Sequence, residues 1–265
     1  MSMDRSRRAA SLVRSILALG DGGLRAAYVA SVARTLDTAA LARVLDDVCE
    51  RAEQTEAQSR EALIAIVDAL NAEGMEAVTH ALRLQAANES LLALDRLIRQ
   101  PTGPARRGSG GRKREIVPAD AKGRPLTLGE RKSLARRPDR WTLQRLFADP
   151  DPAVMRRLLQ NPRLTEDDVV RFAAQRPGRT EVLAEIARAL RWAHRPRVRM
   201  ALVMNAATPV EMAVRIAGLL LRPELMFVAR SPAVPAVVRA VCMEHLERRL
   251  PVPGERDGRR KGQIH

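Results

Sequence analysis

The chain has 265 residues, of which 46% are hydrophobic but only 2% are aromatic. Sheets favour aromatic and β-branched residues, whereas a core of Leu, Ala, Val and Met favours helices, so the composition predicts an all-α protein. The formal net charge is +15, and Arg supplies 42 of the 46 basic residues. No apolar run reaches the roughly 18 residues that a membrane-spanning helix needs.

The charge is unevenly distributed along the chain. Residues 1–100 carry 12 basic and 14 acidic side chains, whereas residues 126–250 carry 23 basic and 13 acidic ones. A basic half of this kind is compatible with a nucleic-acid partner or with an acidic protein surface. A composition rich in Arg and Ala also arises in GC-rich bacterial genomes without any selection for polyanion binding, so both explanations stay open.

Residues 1–100 show the apolar periodicity of helices throughout. Glycines at 20, 22 and 23 separate the first two helices, Gly74 ends a later one, and Pro101 follows the last. Residues 38–71, if unbroken, would form one helix about 50 Å long. Long helices with polar middles are typical of a hairpin, a bundle or a self-associating coil. We therefore expect a docking module here, with a homodimer through residues 1–100 as one option.

Residues 101–125 are rich in Gly, Pro, Ser and basic side chains, which predicts a disordered linker between two structural units. Within it, Arg112, Lys113 and Arg114 could clamp phosphates or could be part of a solvated tether. Residues 251–265 have a similar composition and are predicted to form a disordered basic tail.

From residue 126 to residue 250 the predicted helices become short. Prolines at the first helical turn mark many of their starts, and Thr165 and Thr208 are N-cap candidates followed by an acid in the first turn. Three acids at 166–168 could act in acid–base catalysis, but a helix N-terminus favours the same residues electrostatically. The predicted helices span 127–136, 138–148, 151–161, 165–176, 179–191, 195–205, 208–220, 223–231 and 235–248.

A spacing of 44 residues relates two parts of this region. The positions that recur are Val154, Leu158, Asn161 and Val170, which return as Val198, Leu202, Asn205 and Val214. We expect the valines and leucines to be buried, and the two asparagines to end their helices in the left-handed conformation. A period of about 40–47 residues is typical of a stacked helical repeat.

The sequence Asp-Pro-Asp-Pro-Ala-Val at 149–154, followed by Asn-Pro-Arg-Leu-Thr at 161–165, resembles bacterial HEAT/armadillo-type and leucine-rich-variant helical repeats. The resemblance covers about residues 126–250. It implies a short α-solenoid whose concave face binds partners, and it transfers no catalytic residue. The expected architecture is therefore an N-terminal long-helix hairpin or bundle followed by a short α-solenoid.

Few side chains suggest a metal site or an enzyme active site. Cys242 and His245 share a helix face, but two residues lack the further ligands that zinc requires, so we expect a packed Cys242 and an exposed His245. The segment from Trp192 to residue 199 superficially resembles part of the HEAT-like alkylpurine DNA glycosylases. Trp192 equally fits a gap between helix layers, with the nearby arginines facing solvent.

These patterns predict a non-enzymatic scaffold that presents a basic α-solenoid surface to a protein partner, with no cofactor and no metal. The alternatives are a non-specific nucleic-acid-binding protein and, third, a HEAT-like DNA glycosylase. Two isolated cysteines, Cys49 and Cys242, predict a reducing cytoplasm. The candidate contacts with a polyanion or an acidic partner are Arg112, Lys113, Arg114, Arg195, Arg197 and Arg199.

Overall fold

The computed structural model describes residues 2–100, 118–119, 123–137, 139–146, 149 and 151–249. Over these ranges the chain forms 16 α-helices and no strand, which confirms the predicted all-α class. Within the same ranges, every helix is too short or too polar to cross a lipid bilayer.

The helices of the first hundred residues are α1 (Ser2–Leu17), α2 (Gly22–Thr35), α3 (Thr38–Glu53), α4 (Ala57–Asn71), α5 (Glu76–Glu89) and α6 (Leu92–Ile98). The later helices are α7 (Leu128–Leu134), α8 (Arg140–Leu146), α9 (Pro152–Leu159), α10 (Glu166–Ala174), α11 (Thr180–Arg188), α12 (Leu190–Ala193), α13 (Pro196–Val203), α14 (Val210–Ala217), α15 (Arg222–Arg230) and α16 (Ala236–Arg248).

The first six helices share one hydrophobic core. Helix α3 lies at its centre and contacts α1, α4, α5 and α6. Leu41, Leu45 and Val48 of α3 are buried because they recur every three or four positions and so lie on one face of the helix. The remaining described helices form a second core around α9 to α16.

Residues 38–71 do not form the single long helix that an unbroken pattern would give. Helix α3 ends at Glu53 and α4 begins at Ala57, with Thr55 in the left-handed region at a φ of 67°. Such a conformation is strained for a β-branched residue. The reversal lets α4 pack back on α3, which buries Leu63, Ile66 and Val67 that an extended helix would expose. Burial of three such side chains, at about 1.5–3 kcal/mol each, outweighs the strain.

Most of the predicted linker and all of the predicted tail lie outside the described residues. Of residues 101–125, the structure describes 118–119 and 123–125. Ala119 and Pro125 pair there in an isolated antiparallel bridge, and the amide of Leu126 donates to the carbonyl of Pro118. Arg145 of α8 also contacts the carbonyl of Ala119. The last residues of the predicted linker are therefore attached to the helices that follow.

The structure has a helix in each of the nine segments predicted between residues 126 and 250, and most are a few residues shorter than expected, whereas α15 has the predicted length. One expectation needs correction, because the helix predicted over 179–191 breaks at Ala189 into α11 and α12. Ala189 is extended, with φ −78° and ψ 93°. The break places Trp192 on a new turn, where its Nε1 donates to the carbonyl of Leu159 at 2.8 Å.

Of the three acids at 166–168, Asp168 has the capping role that was predicted. Thr165 and Asp168 form a capping box at the start of α10. Arg140 donates two hydrogen bonds to the fully buried carboxylate of Asp168, at 2.5 and 2.6 Å. Burial opposes ionisation of Asp168, but the bonds from Arg140 and Thr165 outweigh it and lower its pKa to about 2.

The expected left-handed conformation of Asn161 and Asn205 is wrong. Both asparagines are buried, and the only non-glycine residues with positive φ in the described ranges are Thr55 and Ser90. Each amide group instead bonds to carbonyls of an earlier helix terminus. The tertiary partner, rather than the local backbone, accounts for asparagine at these positions.

The burial predicted from the 44-residue spacing is confirmed for Leu158, Leu202 and the valines at 154, 198 and 214, which are all inaccessible to solvent. Val170 differs, because it is only partly buried at the edge of the second core. Its position on α10 borders an open groove, whereas Val214 on α14 faces packed helices.

The two cores meet along a polar junction. Arg215 of α14 donates to the carbonyl of Leu70 at 3.0 Å and to Oδ1 of Asn71 at 2.8 Å, and Arg188 of α11 donates to the carbonyl of Asn71 at 3.1 Å. His194 lies 2.6 Å from a carboxylate oxygen of Asp68. These contacts satisfy carbonyls at the end of α4 and use basic residues of the second half inside the molecule.

Candidate functional site

The arginines at 195, 197 and 199 do not form one patch. Arg195 is exposed and lies 3.8 Å from Glu166, while Arg197 is exposed and donates to Asp167 at 2.7 Å. Arg199 is half-buried, and burial lowers its pKa, so its expected exposure is wrong. Arg197 is two residues from each of the other two arginines, and residues two apart lie on different helix faces. Arg112, Lys113 and Arg114 lie outside the described residues.

The two tryptophans have different environments. Trp192 is 3% exposed and packs between helices, which agrees with the prediction that it fills a gap between helix layers. Its ring faces are therefore covered by protein. Trp141 is 64% exposed, with the guanidinium carbon of Arg145 4.6 Å from its ring centroid. A stacked arginine of this kind stabilises an exposed indole.

His245 is buried, so the expected exposure of this residue is wrong. Its Nδ1 lies 3.3 Å from Oε1 of Glu53. Arg96 donates two hydrogen bonds to the same carboxylate, at 2.9 and 2.6 Å. Burial lowers the pKa of His245 and outweighs the opposing effect of Glu53. Burial also opposes ionisation of Glu53, but His245 and Arg96 lower the pKa of that carboxyl to about 2. Glu53 is therefore paired with Arg96 and adjoins the buried His245.

The junction around His245 encloses little space. The cavity lined by Cys49, Glu53, His245 and Arg249 has a volume of about 10 Å³, far below that of a small-molecule site. Cys49 and Cys242 are free and buried. Across the described ranges, no group of three or more His, Cys, Asp or Glu side chains could hold a metal ion. The cluster therefore links the two cores and has no room for a substrate.

An open groove of about 390 Å³ borders α13 at the edge of the second core. Its floor is one face of α13, formed by Arg197, Met200 and Ala201 and continued by Met204 just after the helix. The other face of α13, with Val198, Leu202 and Val203, is buried. Helix α13 thus has one fully buried apolar face. Met200, Ala201 and Met204 are half-buried at the edge of the second core and leave part of their surface open to the groove.

Two neighbouring helices form the walls of this groove. Val170 of α10 lines one side, and Glu224 and Phe227 of α15 line the other. Phe227 is 61% exposed, which is unusual for a phenylalanine in a chain that has only three. We call the surface formed by α10, α13 and α15 the methionine groove.

Basic side chains surround the methionine groove. Arg197 lies at one end, and Arg176 at the other donates to the carbonyl of Met204 at 2.9 Å. Arg171 and Arg230 are exposed and make no ion pair within the described ranges. Arg171 is four residues after Asp167, whose carboxylate bonds to Arg197 of the groove. Arg230 is three residues after Phe227, so helix spacing places both arginines beside the groove lining.

The acids at the groove already have partners. Asp167 accepts from Arg197, and the carboxylate of Glu224 accepts from the amide of Leu221 at 2.7 Å, where it caps α15. Four arginines and two acids therefore border the groove. The excess positive charge makes this apolar surface suited to an acidic ligand.

Comparison of the chain with protein-family models, with curated proteins and with solved structures finds no match. The function proposed below therefore rests on the geometry of the methionine groove.

Sequence reasoning missed the residues of this groove. A signal for them exists in α13, where Met200 and Met204 lie on one face and Val198 and Leu202 on the other. A short helix with apolar residues on both faces indicates two contact surfaces. The sequence alone does not show which of the two faces is covered by the chain's own helices.

Proposed function

We propose that this protein is a non-enzymatic interaction scaffold whose helices α7 to α16 stack as a short HEAT/armadillo-like α-solenoid and bind a protein partner in the methionine groove. The observation that carries the proposal is the open groove lined by the half-buried apolar face of α13 and by the exposed Phe227. Clustered exposed apolar side chains with a polar rim are typical of protein-interaction sites. We also propose a cytoplasmic location, supported by the free, buried cysteines.

Methionine and phenylalanine suit this role for physical reasons. The unbranched Met side chain adapts its shape to a partner, and the thioether contacts aromatic rings favourably. Phe227 can bury a large apolar area on binding with few rotatable bonds to fix. Met200, Met204 and Phe227 thus provide the apolar centre of an interface, and the four arginines provide its rim.

Photo-crosslinking in cells that naturally contain the protein tests this proposal. Phe227 is replaced by p-benzoylphenylalanine in one variant, and Met243, which is 54% exposed on α16 outside the groove, is replaced in the matched control. We expect irradiation to give a discrete protein adduct from position 227 that is absent from position 243.

Two results would count against the scaffold proposal. Adducts with nucleic acid from position 227 would favour the nucleic-acid-binding alternative. Equal adducts from positions 227 and 243 would show that the groove has no special affinity for a partner. Mass spectrometry of the adducts separates these results from the expected one.

A further inference from the structure

We propose that the ligand of the methionine groove is a single amphipathic helix of a protein partner, with apolar residues on one face and acidic residues beside them. This inference rests on the proposed scaffold function and specifies the partner. It follows from the shape of the groove, its apolar lining and the charges at its rim.

The shape fits one helix. The floor residues Arg197, Met200, Ala201 and Met204 have the spacing i, i+3, i+4 and i+7, so they form a straight stripe about 10 Å long. Val170 on one side and Phe227 on the other bound this stripe. A stripe between two walls is the surface that receives a helix in groove-type recognition.

The lining selects apolar residues at helical spacing in the ligand. Packed helices lie 8–10 Å apart and interdigitate side chains from alternate turns. A partner helix with large apolar residues at i, i+4 and i+7 would set them against Met200, Met204 and Phe227. Because α13 already packs its other face in the same manner, the ligand would extend the stack of helices by one element.

The rim selects acidic residues. Arg171, Arg176, Arg197 and Arg230 border the groove, and the two acids near it are occupied by Arg197 and by the start of α15. A helix that carries Glu or Asp beside its apolar face would pair with the exposed Arg171 and Arg230. Duplex nucleic acid would satisfy the arginines but would leave the apolar floor without a partner, since its outer surface is phosphate and sugar.

Designed peptides test this inference on the full-length protein. The probe is a fluorescein-labelled 15-residue helical peptide with Leu at positions 4, 8 and 11 and Glu and Ala elsewhere. The matched probe has every Glu replaced by Lys, and a third has every Leu replaced by Ser. Fluorescence anisotropy measures binding at low and at 0.5 M salt.

We expect the acidic peptide to bind at least about tenfold more tightly than either matched peptide, and to bind more weakly at high salt. Phe227→Ala should weaken its binding at least about fivefold, whereas Met243→Ala should leave it unchanged. Arg171→Gln combined with Arg230→Gln should remove most of the salt dependence. These side chains are exposed, so the variants retain the fold, which a thermal melt verifies.

The inference is overturned if the Lys peptide binds as tightly as the Glu peptide, or if duplex DNA displaces the acidic peptide from wild type and F227A alike. A protein adduct at position 227 without binding of the acidic peptide overturns the helix inference and leaves the scaffold function standing. Absence of both overturns the inference together with the function.

Discussion

Asn161 and Asn205 lie 44 residues apart and make the same three hydrogen bonds. Nδ2 of Asn161 donates to the carbonyls of Ala135 and Arg137 at 2.8 and 2.9 Å, and its Oδ1 accepts from an amide two residues on. Nδ2 of Asn205 donates to the carbonyls of Ala173 and Gln175 at 2.8 and 3.1 Å, and its Oδ1 again accepts from the second residue on. Each asparagine therefore ties the end of its own helix to the end of an earlier one.

Replacing either asparagine by alanine should destabilise the protein. Asn205→Ala leaves the carbonyls of Ala173 and Gln175 without their donor in a buried site, so we expect a loss of about 1–3 kcal/mol of unfolding free energy. Asn161→Ala should cost a similar amount. Urea denaturation measures both, with the exposed Gln160→Ala as control. A loss no larger than that of Gln160→Ala would show that these bonds contribute nothing.

Truncation at the equivalent leucines should leave cavities in the second core. Leu158 and Leu202 are fully buried, so Leu158→Ala or Leu202→Ala should each lower the unfolding free energy by about 2–5 kcal/mol. Leu92→Ala is the matched control, because this side chain is 57% exposed and should change stability by less than about 0.5 kcal/mol. If chemical denaturation showed that Leu92→Ala lowers the unfolding free energy as much as the other two variants, that result would contradict the assigned burial.

Removing only one partner of the ion pair between Arg96 and Glu53 should strongly lower the free energy of unfolding. Both residues are 6% exposed, so Arg96→Met leaves a buried carboxylate without its cation and should cost about 3–5 kcal/mol. The double variant Arg96→Met, Glu53→Leu should recover much of that loss, because no buried charge remains. A double variant as unstable as the single one would show that packing, rather than charge, explains the effect.

Stability should depend on pH through His194. Its hydrogen bond to Asp68 raises the pKa of His194 above the ordinary value of 6.5, and partial burial opposes this only in part. The contribution is fully present below pH 6.5 and is lost as pH rises through the raised folded pKa. We expect unfolding free energy to decline over that window in wild type and to decline less in His194→Gln. Urea titrations at a series of pH values measure this for both proteins. An equal decline of the unfolding free energy in the two would refute the prediction.

Local signals were sufficient to predict the short helices. Prolines at first turns and N-caps such as Thr165 act within a few residues, so the positions of the nine predicted helices follow from sequence, although the break between α11 and α12 does not. The reversal at Thr55 does not, because residues 50–61 contain no Gly or Pro that would mark a turn, and only the packing of α4 on α3 favours a break.

The errors at Asn205 and His245 share a physical cause. The partners of Asn205 lie about 30 residues earlier, and the partner of His245, Glu53, lies in the other half of the chain. No local pattern encodes such contacts. The methionine groove was missed for the same reason, since only the tertiary packing determines which face of α13 is covered.

Methyl NMR of the full-length protein tests the central claim most directly. The chain has nine methionines, and the ε-methyl signals of Met200 and Met204 report on the groove floor, while Met75 in the first core and Met243 on α16 are internal controls. On titration with the acidic peptide, we predict saturable shifts of Met200 and Met204 with Met75 and Met243 unchanged. Shifts centred on Met243, or unchanged Met200 and Met204 signals when anisotropy shows the peptide to be bound, would contradict docking in the methionine groove.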